Sequence, residues 1–177
     1  GIEPSAILGF RDEYPELAGD DLKDAAEKIS TRAYLVDEFI ANEFSEGRIV
    51  RESFTDTISE IVVHAHCQQK AISSSACTIQ MLSIPVNYKV REVPSGCCGM
   101  AGSFGYEKEH YDLSNKIGEL VLFPEVREAG ENEIIAAPGT SCRHHIKDGT
   151  GRIAMHPVEI LYKALKKEAL RDNGIKA

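Results

Sequence analysis

A chain of 177 residues that is 42% hydrophobic and 27% charged is long enough for one globular domain with a sizeable core. A formal net charge of −8 with no cluster of Lys or Arg lacks the electrostatic footprint of a partner for nucleic acid or anionic membrane. The longest apolar runs, such as Ile61-Val62-Val63 and Ile134-Ile135-Ala136-Ala137, fall far short of the about 20 residues that cross a bilayer, so a soluble protein with no transmembrane segment is expected.

Gly1 opens the chain on Glu3-Pro4-Ser5 with no secretory leader in view, and the stretch reads as cut from something longer. Residues 2–10 suggest the end of a strand or loop followed by a helical start, and Arg11 to Pro15 a loop. From Asp20 or Asp21 as N-cap, Leu22, Ala25, Ala26, Ile29, Ala33, Val36, Phe39 and Ile40 recur at helical spacing as far as Gly47. That pattern predicts one long amphipathic helix packed on a sheet.

Ile58 to His64 contains a buried-strand run, and polar His64 to Lys70 follows at its carboxyl end. Residues 69–82 read as a helix in which Cys77 is a small core residue. Tyr88 to Val93 is a second strand, broken by Pro94-Ser95-Gly96 just before Cys97 and Cys98. Gly96, Gly99, Gly102 and Gly105 then recur every third residue, so the backbone can approach a bound group closely. The next predicted helix runs from Tyr106 to Val121, with Ser103 as cap and Pro124 near its end. Glu133 to Ala137 is a third strand, leading into Pro138 to His145 with Cys142 near a helix start. Ile153 to Met155 is a fourth, and Pro157 stands at the first position of a helix carrying Val158, Ile160, Leu161, Leu165 and Leu170. The tail from Asp172 should fray.

Strands alternating with helices over short connections predict an α/β fold, a mostly parallel sheet with helices on both faces in a Rossmann-like three-layer arrangement. Residues 1–60 then form a lead-in with the long helix, and 61–177 the cysteine-bearing α/β unit, together one compact domain. The carboxyl ends of parallel strands share one edge, so Cys67, Cys97, Cys98 and Cys142 should converge there from distant positions.

Five cysteines at uneven spacing do not suit a disulfide framework in a chain of this size. A reducing cytoplasm with metal-binding or reactive thiols fits them better. Adjacent Cys97 and Cys98 cannot form a relaxed bridge with each other, because their Cα atoms are about 3.8 Å apart where a disulfide wants about 5.5 Å. Four thiolates suit an iron–sulfur cluster or tetrahedral zinc. His66, beside Cys67, is a candidate nitrogen ligand or hydrogen-bond donor to the sulfurs, with the donor role preferred, and His144 and His145, after Cys142, are candidates to donate to a sulfur or to face solvent. The alternatives are unligated buried thiols, a structural zinc module for docking, and a thiol enzyme with a cysteine nucleophile on a strand-to-helix turn. Phosphate binding at the glycine run lacks the lysine and the spacing that it requires.

Cys67, Gly96-Cys97-Cys98-Gly99 and Ser141-Cys142 resemble the cysteine-rich CCG domain found in heterodisulfide reductases and in the iron–sulfur subunits of glycolate oxidases. Ser95 to Gly105 with Glu107, Gly139 to Arg143, and His156-Pro157 are similar to the C-terminal part of FAD-linked, iron–sulfur D-2-hydroxyacid dehydrogenases. Glu3-Pro4-Ser5-Ala6 looks like the tail of a preceding copy of the domain, with Ala6 standing where Cys142 stands. The usual final Cys-x-x-Cys reads Cys142-Arg143-His144-His145 here. The resemblance implies electron transfer linked to oxidation of lactate, glycolate or 2-hydroxyglutarate. It also implies a cluster of the 4Fe-4S type on Cys67, Cys97, Cys98 and Cys142, and partner domains that carry FAD and ferredoxin-type clusters. A cytoplasmic location, peripheral to the membrane through partners, goes with it.

Overall fold

A computed structural model describes residues 1–167; Leu170 and the tail from Asp172, for which a helix and fraying were predicted, lie outside them. Four parallel strands, β1 (Ser59–Val63), β2 (Tyr88–Glu92), β3 (Ile134–Ala136) and β4 (Ala154–Met155), form a sheet in the order β2-β1-β3-β4. The helices ahead of it are α1 (Pro4–Ile7), α2 (Glu13–Leu17), α3 (Lys23–Ser30) and α4 (Val36–Ser45). Between the strands come α5 (Cys67–Ile72), α6 (Ala76–Leu82), α7 (Tyr111–Leu120), α8 (Leu122–Glu128) and α9 (Thr140–Thr150), and α10 (Pro157–Lys163) follows β4.

Neighbouring residues of a strand point to opposite faces, and both faces here are covered. Val62 and Ile135 join one core with Leu122, Phe123, Val126 and Ile146, from α8 and α9. Ile61, Val63 and Ala136 join a second with Met81, Leu82, Ile160 and Leu161, from α6 and α10. Ile61, Val62 and Val63 are fully buried, worth about 1.5–3 kcal/mol each. The predicted three-layer α/β architecture is the one observed.

The chain leaves β1 on one side to form β2 and returns on the other to form β3. Strand order therefore reverses between β1 and β3, and in open α/β sheets the crevice at such a point is where ligands sit. Pairing continues just past the strands: His64 N–H donates to Ala136 O at 2.8 Å, Val93 N–H to Val63 O at 2.8 Å, and Ala137 N–H to Met155 O at 3.0 Å. The first residues of each rim loop are thus set by the sheet.

Three helical predictions need correction. The long helix from Asp20 is two, α3 and α4, because buried Leu35 is extended and its N–H is held by the Glu38 carboxylate at 2.8 Å, restarting the helix at Val36. Neither Asp20 nor Asp21 is the N-cap, which is Leu22, and Leu22, Ile29 and Phe39 face solvent. Of the two, only α4 brings apolar side chains, Ile40 and Phe44, to a core, and it packs chiefly on α6 and then α10, not on the sheet as expected. The helix over 69–82 breaks at Ser73, whose hydroxyl bonds Glu38, giving α5 and α6. The helix after the glycine run begins only at Tyr111. Residues Phe104–Tyr106 make a 3₁₀ turn, Ser103 forms no side-chain cap, and Pro124 sits in the first turn of α8, where its missing N–H costs nothing.

Candidate metal centre

Each loop at the carboxyl edge of the sheet is shaped by a local device. After β1, His66 Nδ1 accepts the Gln68 N–H at 3.2 Å and caps α5, which makes Cys67 the first helical residue. After β2, the loop turns through Gly99 at φ +105°, where an added Cβ would lie 2.4 Å from the Ser114 carbonyl oxygen. Only glycine seats the loop against α7 there. Gly99 N–H donates to Cys97 Sγ at 3.3 Å. After β3, a Cβ on Gly139 would lie 2.4 Å from His66 Cδ2 and 3.1 Å from Cys142 Sγ, so this glycine lets the loops after β1 and β3 meet. Cys142 follows as the third residue of α9. That helix is capped from outside: the Glu3 carboxylate accepts from Thr140 N–H at 2.9 Å and from Thr140 Oγ1 at 2.8 Å.

The four thiols predicted to converge do so. Cys67 touches Cys97, Cys97 touches Cys98, and Cys98 touches Cys142, all as free thiols. Cys98 and Cys142 are 3% and 1% exposed, while Cys67 and Cys97 are half-buried. The neighbours push the thiols in opposite directions. Contact with Cys97, reinforced by burial, pushes Cys67 far up. Contact with Cys142 and with Cys97 does the same to Cys98. Cys97 is held far down by Cys67 and Cys98, against the cost of burial, with help from the Gly99 N–H. Cys142 is lowered to about 5, first by Cys98, with burial opposing and His64 assisting.

This chain is similar to parts of known dehydrogenases. It is 27% identical over 161 residues to one subunit of the anaerobic glycerol-3-phosphate dehydrogenase of Escherichia coli K12, covering 91% of this chain and 39% of that protein. It is 27% identical over 166 residues to D-2-hydroxyglutarate dehydrogenase of Pantoea ananatis, covering 93% of this chain and 15% of that protein. With the E. coli K12 D-2-hydroxyglutarate dehydrogenase it shares 26% over 167 residues, again 15% of the relative. The chain therefore spans well under half the length of these curated relatives. No protein-family model and no solved structure matches it.

The histidines singled out in the sequence have different fates. His66 is a helix cap lying against Gly139 beside Cys142. His145 is buried, its Nδ1 2.8 Å from the Cys98 carbonyl oxygen and its ring edge-on to Phe123 at 4.8 Å, so it holds the cysteine loop by its backbone. His144 pairs with the Tyr106 hydroxyl at 2.9 Å on the surface and touches no sulfur. Cys77 lies apart, half-buried beside Asp37, Glu38 and Arg11, so its surroundings are polar and the core position expected for it is not observed. Burial and the two carboxylates push its thiol up.

His64 is the residue that sequence reasoning misses. A ring nitrogen of this histidine and the sulfurs of Cys98 and Cys142 lie within 4.8 Å of one another. The available signal is a histidine directly after a buried strand, three residues before a candidate ligand. In the sequence it is simply the polar end of that strand.

Proposed function

We propose that this chain is the cysteine-rich iron–sulfur electron-transfer unit of an oxidoreductase that oxidises a 2-hydroxyacid of the lactate, glycolate or 2-hydroxyglutarate type. Cys67, Cys97, Cys98 and Cys142 are the ligands. The observation that carries this reading is the meeting of four sulfurs from three separate loops at the point where strand order reverses. The donors fit such a group: four cysteine sulfurs meet at one rim, and the buried His64, which has a ring nitrogen within 4.8 Å of the Cys98 and Cys142 sulfurs, leaves its Nε2 without a hydrogen-bond partner. A bound cluster would store and pass single electrons.

The chain's own residues supply the setting. Cys98 and Cys142 keep water from the inner side, Cys67 and Cys97 bring the site to the surface, and Gly99 N–H stabilises sulfur charge. Similarity to dehydrogenases of D-2-hydroxyglutarate and to a subunit of one for glycerol-3-phosphate supports a role next to oxidation of a hydroxyl substrate. In this reading FAD and ferredoxin-type clusters belong to partner domains, and the assembly is cytoplasmic, at most peripheral to a membrane. No helix among the described residues is long and apolar enough to cross one.

A second reading is structural zinc in a docking module, favoured by the mixed nitrogen and sulfur donors His64, Cys98 and Cys142. Iron, sulfide and zinc measured on protein purified without oxygen, with a visible spectrum, separate the two. Iron with stoichiometric sulfide and a brown colour is the expected result. Colourless protein with one zinc would establish the docking module, and metal-free protein with one rapidly alkylated thiol would point to a cysteine nucleophile.

A further inference from the structure

Buried polar atoms in folded proteins nearly always have a partner, and leaving one without costs about 1–3 kcal/mol. His64 Nε2 breaks this rule. The residue is 1% exposed, directly after β1. Its Nδ1 lies 2.7 Å from Ser95 Oγ, and Ser95 is itself anchored, because Lys70 Nζ donates to its carbonyl oxygen. One side of the ring is therefore fixed and the other nitrogen is left over, and a ring nitrogen of His64 lies within 4.8 Å of the two most buried sulfurs.

We propose that His64 Nε2 is a nitrogen ligand to iron in the cluster, beside Cys98 and Cys142, and that Ser95 holds the ring in the required tautomer by accepting the Nδ1–H. The proposal rests on the iron–sulfur reading above. A metal-binding histidine characteristically gives its other N–H to an oxygen partner, which fixes the ring and raises its basicity, and Ser95 Oγ stands where that partner belongs. A ring nitrogen of His64 and the Cys98 and Cys142 sulfurs lie within 4.8 Å of one another, so the three donors face one small space. The other nearby histidines have competing duties: His66 Nδ1 caps α5, and both nitrogens of His145 face partners, the Cys98 carbonyl and Ser114 Oγ.

The test uses the whole chain purified without oxygen, reconstituted with iron and sulfide, and reduced. Pulsed EPR is recorded on protein grown with ordinary and with nitrogen-15-labelled histidine. A strong nitrogen coupling that changes with the label, disappears in His64→Ala and persists in His66→Ala is the expected result. Ser95→Ala should keep the coupling in altered form and weaken iron retention about 10–100-fold. The wild-type spectrum decides even if His64→Ala fails to fold. Stoichiometric iron and sulfide with only weak nitrogen coupling would overturn direct ligation, leaving at most an N–H pointed at sulfur, while the iron–sulfur reading stands. A strong coupling that survives in His64→Ala would overturn the assignment to this residue. Failure to take up iron and sulfide would overturn both.

Discussion

The thiol site has an inner and an outer pole, built on different principles. Cys98 and Cys142 belong to the hydrophobic core with Phe123 and Ile146, and buried His64 and His145 flank them. Cys67 and Cys97 stand half in solvent at a helix start and in a glycine-rich loop. The inner pole is part of what makes the protein fold, whereas the outer pole is held in place by that fold. Stability and metal binding should therefore separate when the two poles are mutated.

The largest effect is expected at Gly99, which ties the inner pole to α7. An added Cβ would meet backbone oxygen at 2.4 Å on a residue with φ +105°, and neither atom can swing away. Gly99→Ala should cost about 3 kcal/mol or more, lowering Tm by roughly 6–12 °C. Gly96→Ala is the matched control, since nothing lies within 4 Å of its would-be Cβ, and it should change stability by less than about 0.5 kcal/mol. Equal Tm values for the two variants would show that the loop is not clamped against α7.

Next in size is the contrast between Cys142→Ser and Cys67→Ser in metal-free protein. The first puts a hydroxyl into a core position and should cost about 1–3 kcal/mol in urea unfolding. The second, at a half-exposed helix start, should stay within about 0.5 kcal/mol. Both should reduce bound iron. Equal stability losses would dissolve the distinction between the poles, while unchanged iron in either variant would remove that sulfur from the ligand set.

The difference between the poles also explains what was legible in the sequence. Apolar β-branched runs such as Ile61-Val62-Val63 announced the strands, their alternation with helices announced the sheet, and parallel topology alone was enough to bring four distant cysteines to one rim. His64 was hidden because its role depends on what surrounds it: the same residue can close a strand facing water or be sealed against two sulfurs, and periodicity does not distinguish them. The split of the long helix at Leu35 was hidden for a similar reason. The Glu38 carboxylate that restarts it also serves Arg11 and Ser73, partners from distant parts of the chain that no local pattern reveals.

Glu3 was equally opaque, since it caps a helix 137 residues away. It gives the smallest effect and the most specific one. Gly139, the N-cap of α9, has no side chain, so the Glu3 carboxylate supplies the acceptor for Thr140 and steadies the helix that carries Cys142. Burial alone would raise the Glu3 pKa, but hydrogen bonds from Thr140 and Ser5 and the nearby His66 outweigh it and hold the pKa below 4.5. A carboxyl lowered on folding stabilises the protein above its unfolded value, and that contribution vanishes as pH falls through the lowered value. Glu3→Gln should cost about 1 kcal/mol at pH 7, at the lower end of capping effects because the group is half-exposed. The gap between wild type and variant in urea midpoints should stay open at neutral pH and close as the pH drops below 4.5. A gap independent of pH would mean that Glu3 acts by packing, leaving the inner pole without its charge-assisted cap.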